Sequence, residues 1–275
     1  MVTSIRSTLP EIARGIALLY AEHPVEADEA FADFQVRIAR PRGLRRWVRP
    51  QVQFQFDGTP PFHPLPGDQA FPILEWGLNW CVSAHCHQYL IVHAAAVERA
   101  GQALLLPAPP GSGKSTLCAA LVHRGWRLLS DELALLDPAT HAIVPLARPV
   151  SLKNASIELI RRFAPEAVLG ETVHDTLKGS VAHMKPPQDA VRRSLEPAAP
   201  RWIVMPRYEA RAAAARLTPL ARGQAFMQLA DSAFNYHLHG RAGFELLADV
   251  VEGCECFELA YANLEEALAA LEGMQ

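Results

Sequence analysis

A chain of 275 residues in which 50% of positions are hydrophobic buries enough core for one substantial domain, or for a core with a smaller one attached, without staples. Its 26 Lys and Arg against 29 Asp and Glu give a formal net charge of -3 with no basic run, which leaves a nucleic-acid partner without electrostatic support. Five cysteines are too few and too scattered for a disulfide framework.

The first segment, "MVTSIRSTLPEIARGIALLY", has Glu11 and Arg14 inside its apolar run and no small-residue cleavage pattern behind it, so it predicts an amphipathic helix from about Leu9 rather than an export signal. No stretch reaches the ~20 uninterrupted apolar residues of a membrane span, and the expectation is a soluble, cytoplasmic protein without a membrane partner. Residues 31–38 alternate apolar and polar, as does "LRRWVRPQVQFQFDGTPP" up to its Asp-Gly turn, which predicts a small antiparallel sheet. "DQAFPILEWGLNWCVSAHC" predicts a buried helix, with a boundary near His87 that sets residues 1–87 apart as an N-terminal α+β region.

Residues 88–275 form the second predicted unit. "YLIVHAAAVERAGQALLLPA" predicts two strands around a tight Arg-Ala-Gly-Gln turn, "STLCAALVHRGW" a helix ending at Gly125, and "WRLLSDELALLD" a strand with acids at its end. "THAIVPLARPVSL" predicts a further strand, "SIELIRRFA" a short helix, and "VHDTLKGSVAHMKPP", with few apolar anchors, a mobile loop. "RWIVMPRY" reads as a buried strand, two helical patterns and a strand follow, and "NLEEALAALEGM" closes as a helix capped by Asn263. Cys81, Cys86 and Cys118 sit in apolar patterns as small hydrophobes, and Cys254 and Cys256 would share one face of a strand, at the wrong spacing for zinc.

The chemistry centres on "APPGSGKST". Gly111, Ser112, Gly113, Lys114 and Ser115, with Thr116 next in line, make the second half of a phosphate-loop pattern between a strand and a helix. Glycines let backbone N–H groups turn onto phosphate oxygens, the helix N-terminus adds a favourable dipole, Lys114 reaches the β and γ groups, and Ser115 would ligate magnesium. Ala108 stands where the pattern opens with glycine; a left-handed conformation there would cost about 1 kcal/mol, while Pro109 and Pro110 would preset the loop. Asp131 follows Lys114 by only seventeen positions, room for one helix and one strand, and this short spacing points to a kinase rather than a motor ATPase or switch GTPase. No guanine-specific "NKxD" follows. Asp131 and Glu132 would hold magnesium and accept an acceptor hydroxyl's proton.

The order "VHAAAVERAGQALLLPAPPGSGKST…HRGWRLLSDE" resembles the catalytic core of the HPr kinase/phosphorylases, in which a histidine precedes the phosphate-loop hairpin and an "RGhrLvaDD" stretch follows the helix. Here His93 matches the first feature and residues 124–132 the second. "RPVSLKN", "HMKPP", "PRWIVMPRY", "FNYHLHGRAGFELL" and "NLEEALAALE" are closer still to the group named HPr-kinase-related kinase A. The resemblance implies an α/β phosphate-loop kinase core shared with phosphoenolpyruvate carboxykinases, ATP and Mg2+ as cofactors, and a serine or similar hydroxyl on a peptide, protein or small molecule as acceptor. In two places the sequence departs from the founding family: Glu132 replaces an aspartate, and "VPLARPVSLKN" stands where that family has an "EIRG"-type segment. The acceptor is thus left open, as is a homo-oligomeric state.

On this reading Lys114 and Asp131 are catalytic, with Asp131 as general base and His93 as its polar partner, and Glu132 contacts metal directly or through its neighbours. Arg148 and Lys153 either touch the transferred phosphoryl group or lie solvated at a strand end. Lys178, His183 and Lys185 either close over substrate or belong to a solvated loop, and His237, His239 and Arg241 form either a metal cluster or a polar helix terminus. The alternatives are an ATP-binding scaffold or regulatory protein without transfer, which Ala108 and Glu132 favour, and a small-metabolite kinase, which the long stretch before the phosphate strand disfavours.

Overall fold

Residues 1–27, 30–109 and 111–274 are described by the computed structural model. Pro110, expected to preset the glycine loop, lies outside the described residues.

The N-terminal part pairs β1 (Thr3–Ser7), β2 (Phe34–Ala39), β3 (Gln51–Phe56) and β4 (Leu65–Pro66) in that order, with α1 (Pro10–Leu19) and α2 (Ala70–His85) packed against them. The alternation in β2 buries Phe34, Val36 and Ile38 and exposes the residues between them. The sheet is mixed rather than antiparallel, because β1 runs parallel to β2. One apolar residue, Ile5, gives that edge strand too little pattern to be read from sequence. Helix α2 is apolar on nearly all sides and sits against the sheet so closely that a Cβ on Gly77 would lie 2.2 Å from the Phe54 ring. Ile91, Leu133 and Leu135 join the same core.

The segment read as two strands forms three: β5 (Leu90–Val92), β6 (Ala94–Arg99) and β7 (Gln102–Pro107). The chain changes sheet at His93. Strand β5 pairs with β9 (Ala134–Leu136), which in turn pairs with β10 (Ile143–Val144), whereas β6 pairs with β7 through a turn whose Ala100 and Gly101 both have positive φ. After β7 come α3 (Lys114–His123) and β8 (Arg127–Ser130). Gly125, at φ 89°, ends α3, with Trp126 N donating to Leu121 O at 3.1 Å. Strand β6 runs antiparallel to both β7 and β8, so β7, α3 and β8 form a parallel crossover with β6 between the strands.

Beyond β11 (Val150–Lys153) and α4 (Ala155–Phe163), the predicted mobile loop is a hairpin of β12 (Val173–Thr176) and β13 (Gly179–Met184), with β13 paired to β11. Val181, Ala182, His183 and Met184 are buried; an extended run covered on both faces has no alternation to betray it. After α5 (Gln188–Arg192) come β14 (Ala199–Tyr208), β15 (Arg216–Pro219), α6 (Arg222–Ser232), α7 (Tyr236–Gly253), β16 (Glu255–Tyr261) and α8 (Leu264–Glu272). Asn263 caps α8 as expected, accepting from the N–H groups of Glu265 and Glu266.

The largest sheet runs β15-β16-β14-β7-β6-β8, with β7, β14 and β16 parallel. Its central strands are buried on both faces over most of their length. Leu104, Leu106, Trp202 and Val204 face the side covered by α3, α4 and α8; Leu105, Ile203 and Met205 face α6, α7 and the β5–β9 pair. Cys254 and Cys256 share that second face, and all five cysteines are free and buried. The architecture is mixed α/β, with four sheets and eight α-helices among the described residues. None of these helices is long and apolar enough to cross a membrane.

Candidate functional site

The buried strand β7 ends at Pro107, and Gly111, Ser112 and Gly113 stand directly before α3. Positive φ falls at Gly111 (87°) and Gly113 (88°), whereas Ala108 is not among the residues with positive φ, so the strain considered for it does not arise. Helix α3 starts without a side-chain cap, which leaves the N–H groups of its first turn and the positive end of its dipole facing the loop. Ser115 and Thr116 occupy that turn, half-buried.

Gly113 is also a packing constraint: a Cβ there would come within 2.2 Å of Tyr261 Oη. Gly113→Ala therefore adds a clash to the ~1–2 kcal/mol of a left-handed residue, and Tyr261→Phe, which leaves only ring carbon at 3.3 Å, recovers part of the loss. Denaturant unfolding of the two single variants and the double variant measures this. A Gly113→Ala chain as stable as the parent contradicts it.

Lys114 is buried, and its Nζ donates to His93 Nε2 at 3.0 Å, so His93, expected as the polar partner of Asp131, is the partner of Lys114 instead. Accepting at Nε2 makes the imidazole neutral with its proton on Nδ1, which is buried without a partner. Burial and the Lys114 charge push the His93 pKa down to about 4. The backbone at the sheet change fixes the ring: His93 N donates to Ser232 O at 2.7 Å, and Phe234 meets the ring edge-on. Burial also lowers the Lys114 pKa, against the pull of Asp131 and Glu132.

The two acids lie immediately after β8 and differ in character. Asp131 is 6% exposed; Oδ2 accepts from Ser151 N at 3.0 Å and Oδ1 is buried without a partner. Burial, then the Glu132 charge, raises its pKa, with Lys114 opposing. Glu132 is also desolvated, but Lys153, Lys178 and Lys114 together outweigh burial and hold its carboxyl at about 2. Its Oε1 pairs with Lys153 Nζ at 3.2 Å and its Oε2 accepts from Asn79 Nδ2 at 2.5 Å. One carboxylate is thus tuned towards taking a proton and the other stays charged.

Both Glu132 oxygens being engaged bears on magnesium. Among the described residues no group of three His, Cys, Asp or Glu could hold a metal ion. Ser115 remains as a hard oxygen donor, which suits magnesium when phosphate oxygens and water complete the shell, and the unpartnered Asp131 Oδ1 is left free to take a proton.

Behind the acids, α2 contributes residues that sequence reading missed. Arg148, read either as a phosphoryl contact or as solvated at a strand end, is neither and is held in a partly buried network: it donates to Glu75 Oε2 at 2.6 Å, to the Glu75 carbonyl at 3.0 Å and to Asn79 Oδ1 at 2.7 Å. Tyr20 donates to the other Glu75 oxygen at 2.7 Å. Asn79 therefore joins this network to Glu132. The signal was present in sequence, since Glu75 and Asn79, four apart on an otherwise apolar helix, share one face. A cavity of about 20 Å³, room for one water, lies beside them; Trp76 Nε1, Asp131 Oδ1, Ser151 Oγ and His183 Nε2, all from residues lining it, have no partner.

The remaining candidates divide. Lys153 is at the site, and Lys178 reaches it from the β12–β13 turn, over the Trp76 ring at 5.2 Å. Lys185 pairs with Glu22 at 3.2 Å, and His183 is buried edge-on to Phe71, so neither is on a closing loop. His239 lies 3.1 Å from the Tyr89 carbonyl, Arg241 pairs with Glu245, and His237 is exposed, which is the polar helix terminus rather than a metal cluster. Asn235 beside them is buried and bonded to Ile91 N and the Tyr89 carbonyl, anchoring β5.

The chain matches no protein-family model and no curated protein, so its chemistry is read from the site itself.

Proposed function

We propose that the protein is an ATP-dependent phosphotransferase that moves the γ-phosphoryl group to a hydroxyl on a peptide, protein or small molecule, with a phosphate-loop core of the HPr kinase and phosphoenolpyruvate carboxykinase type. The observation that carries this reading is the Lys114–His93 contact at the start of α3 together with Asp131, whose charge acts on Lys114 and whose Oδ1 is buried without a partner. The parallel β7–α3–β8 crossover supports the core assignment.

In this scheme the glycine loop and the α3 N-terminus hold the polyphosphate, and Lys114 neutralises its terminal oxygens. Asp131 takes the proton from the acceptor hydroxyl, the acceptor oxygen bonds to phosphorus, and the bond to the bridging oxygen breaks to leave ADP. Magnesium would supply charge neutralisation at the phosphate oxygens, and Ser115 would hold it. Glu132 acts through its fixed charge, positioning Lys153. His93 orients Lys114 and remains neutral throughout the physiological range.

A scaffold that binds ATP without transfer is the second reading, favoured by the engagement of both Glu132 oxygens. Both readings require Lys114. Replacing it with Met keeps the stem but loses a charge-assisted contact, so calorimetry should show magnesium-ATP affinity falling by about 10²-fold. Unchanged affinity in a folded Lys114→Met chain would sink both.

A further inference from the structure

We infer that Tyr208 is the stacking platform for the nucleotide's base, an inference that rests on the nucleotide reading above. The groups assigned to the terminal phosphate, Lys114, His93 and Asp131, tie the loop to the β6 and β8 side of β7. The other neighbour of β7 is β14, followed by β16, and both run parallel to β7, so their C-terminal ends reach the same edge of the sheet as the loop. A nucleotide whose γ end lies towards β8 extends its ribose and base over the ends of β14 and β16.

Tyr208 is the last residue of β14 and stands where that path leads. Its N–H donates to Ser112 O at 3.1 Å, which ties the strand end directly to the glycine loop. The residue is 51% exposed, unusual for an aromatic at the end of so buried a strand. One side is set by Tyr261, buried, in edge-on contact at 5.8 Å and donating from Oη to Gly113 O at 3.4 Å. Glu209 N donates to Tyr261 O at 2.8 Å, so the chain on either side of the ring is pinned. The platform is rigid and solvent-facing before any ligand arrives, and aromatic stacking needs only a π-face, so it accepts either purine. Phe234, the half-exposed aromatic on the other side, touches His93 at the γ end and is the wrong end for a base.

The test compares magnesium-ATP with magnesium-tripolyphosphate, which has the phosphates but no base, by calorimetry on the parent, Tyr208→Ala and Tyr208→Phe, with thermal melts to verify folding. Tyr208→Ala should bind ATP about tenfold more weakly, the scale of one base–aromatic stack, and tripolyphosphate as the parent does; Tyr208→Phe should match the parent for both. Equal losses for both ligands in Tyr208→Ala would assign Tyr208 to loop support, and no loss for either would place the base elsewhere; each overturns the inference. A parent that binds tripolyphosphate and ATP equally also overturns it while leaving the phosphate site standing. A parent that binds neither overturns the nucleotide reading itself.

Discussion

An Asp131→Asn variant transfers phosphate at least about 10²-fold more slowly than the parent while binding magnesium-ATP within an order of magnitude of it, because the loss falls on general-base help alone. The amide keeps the size of the side chain and its oxygen can still accept from Ser151 N, but it cannot take a proton. The acid side of the rate profile adds a second readout. Asp131 acts only when ionised, and in the free protein burial together with the Glu132 charge raises its pKa, so kcat/KM should rise with pH through a range above that of an ordinary carboxylate. That limb disappears in the variant. Equal transfer rates in Asp131→Asn and the parent would reject the role.

Replacing Arg148 with Met should cost stability rather than phosphoryl contact, by about 3–5 kcal/mol, the scale of breaking a buried ion pair from one side. The guanidinium is held by Glu75, Asn79 and Tyr20, and removing it leaves the Glu75 carboxylate buried and charged. Arg148→Met combined with Glu75→Gln should recover much of the loss, since no unpaired charge is then left. Urea unfolding of the single and double variants measures this. A single variant within about 1 kcal/mol of the parent would remove Arg148 from the framework of the site.

What could be read from sequence follows where the physical signals are local. The glycine loop, the helix ended by Gly125, the acids after β8 and the Asn263 cap all depend on neighbours a few residues away, and each appears at its expected position. The misreadings are long-range. The β12–β13 hairpin earns its order by pairing with β11, and Arg148 is drawn from the phosphate region by Glu75, 73 positions earlier. Asn79 holds Glu132 across 53 positions; the polar face of α2 is legible in sequence, but the residue it meets is not. Residue types near the loop were therefore informative about chemistry, while which of the basic residues faced the site depended on how α2 packs against the acids.

Incubating the purified chain with γ-labelled ATP and magnesium in a host lysate, alongside Asp131→Asn, tests the proposed transfer most directly. A labelled hydroxyl acceptor is expected with the parent, and at least about 10²-fold slower labelling with the variant. A parent that binds ATP yet labels no peptide, protein or small hydroxyl compound, or labelling that proceeds equally in Asp131→Asn, would contradict it.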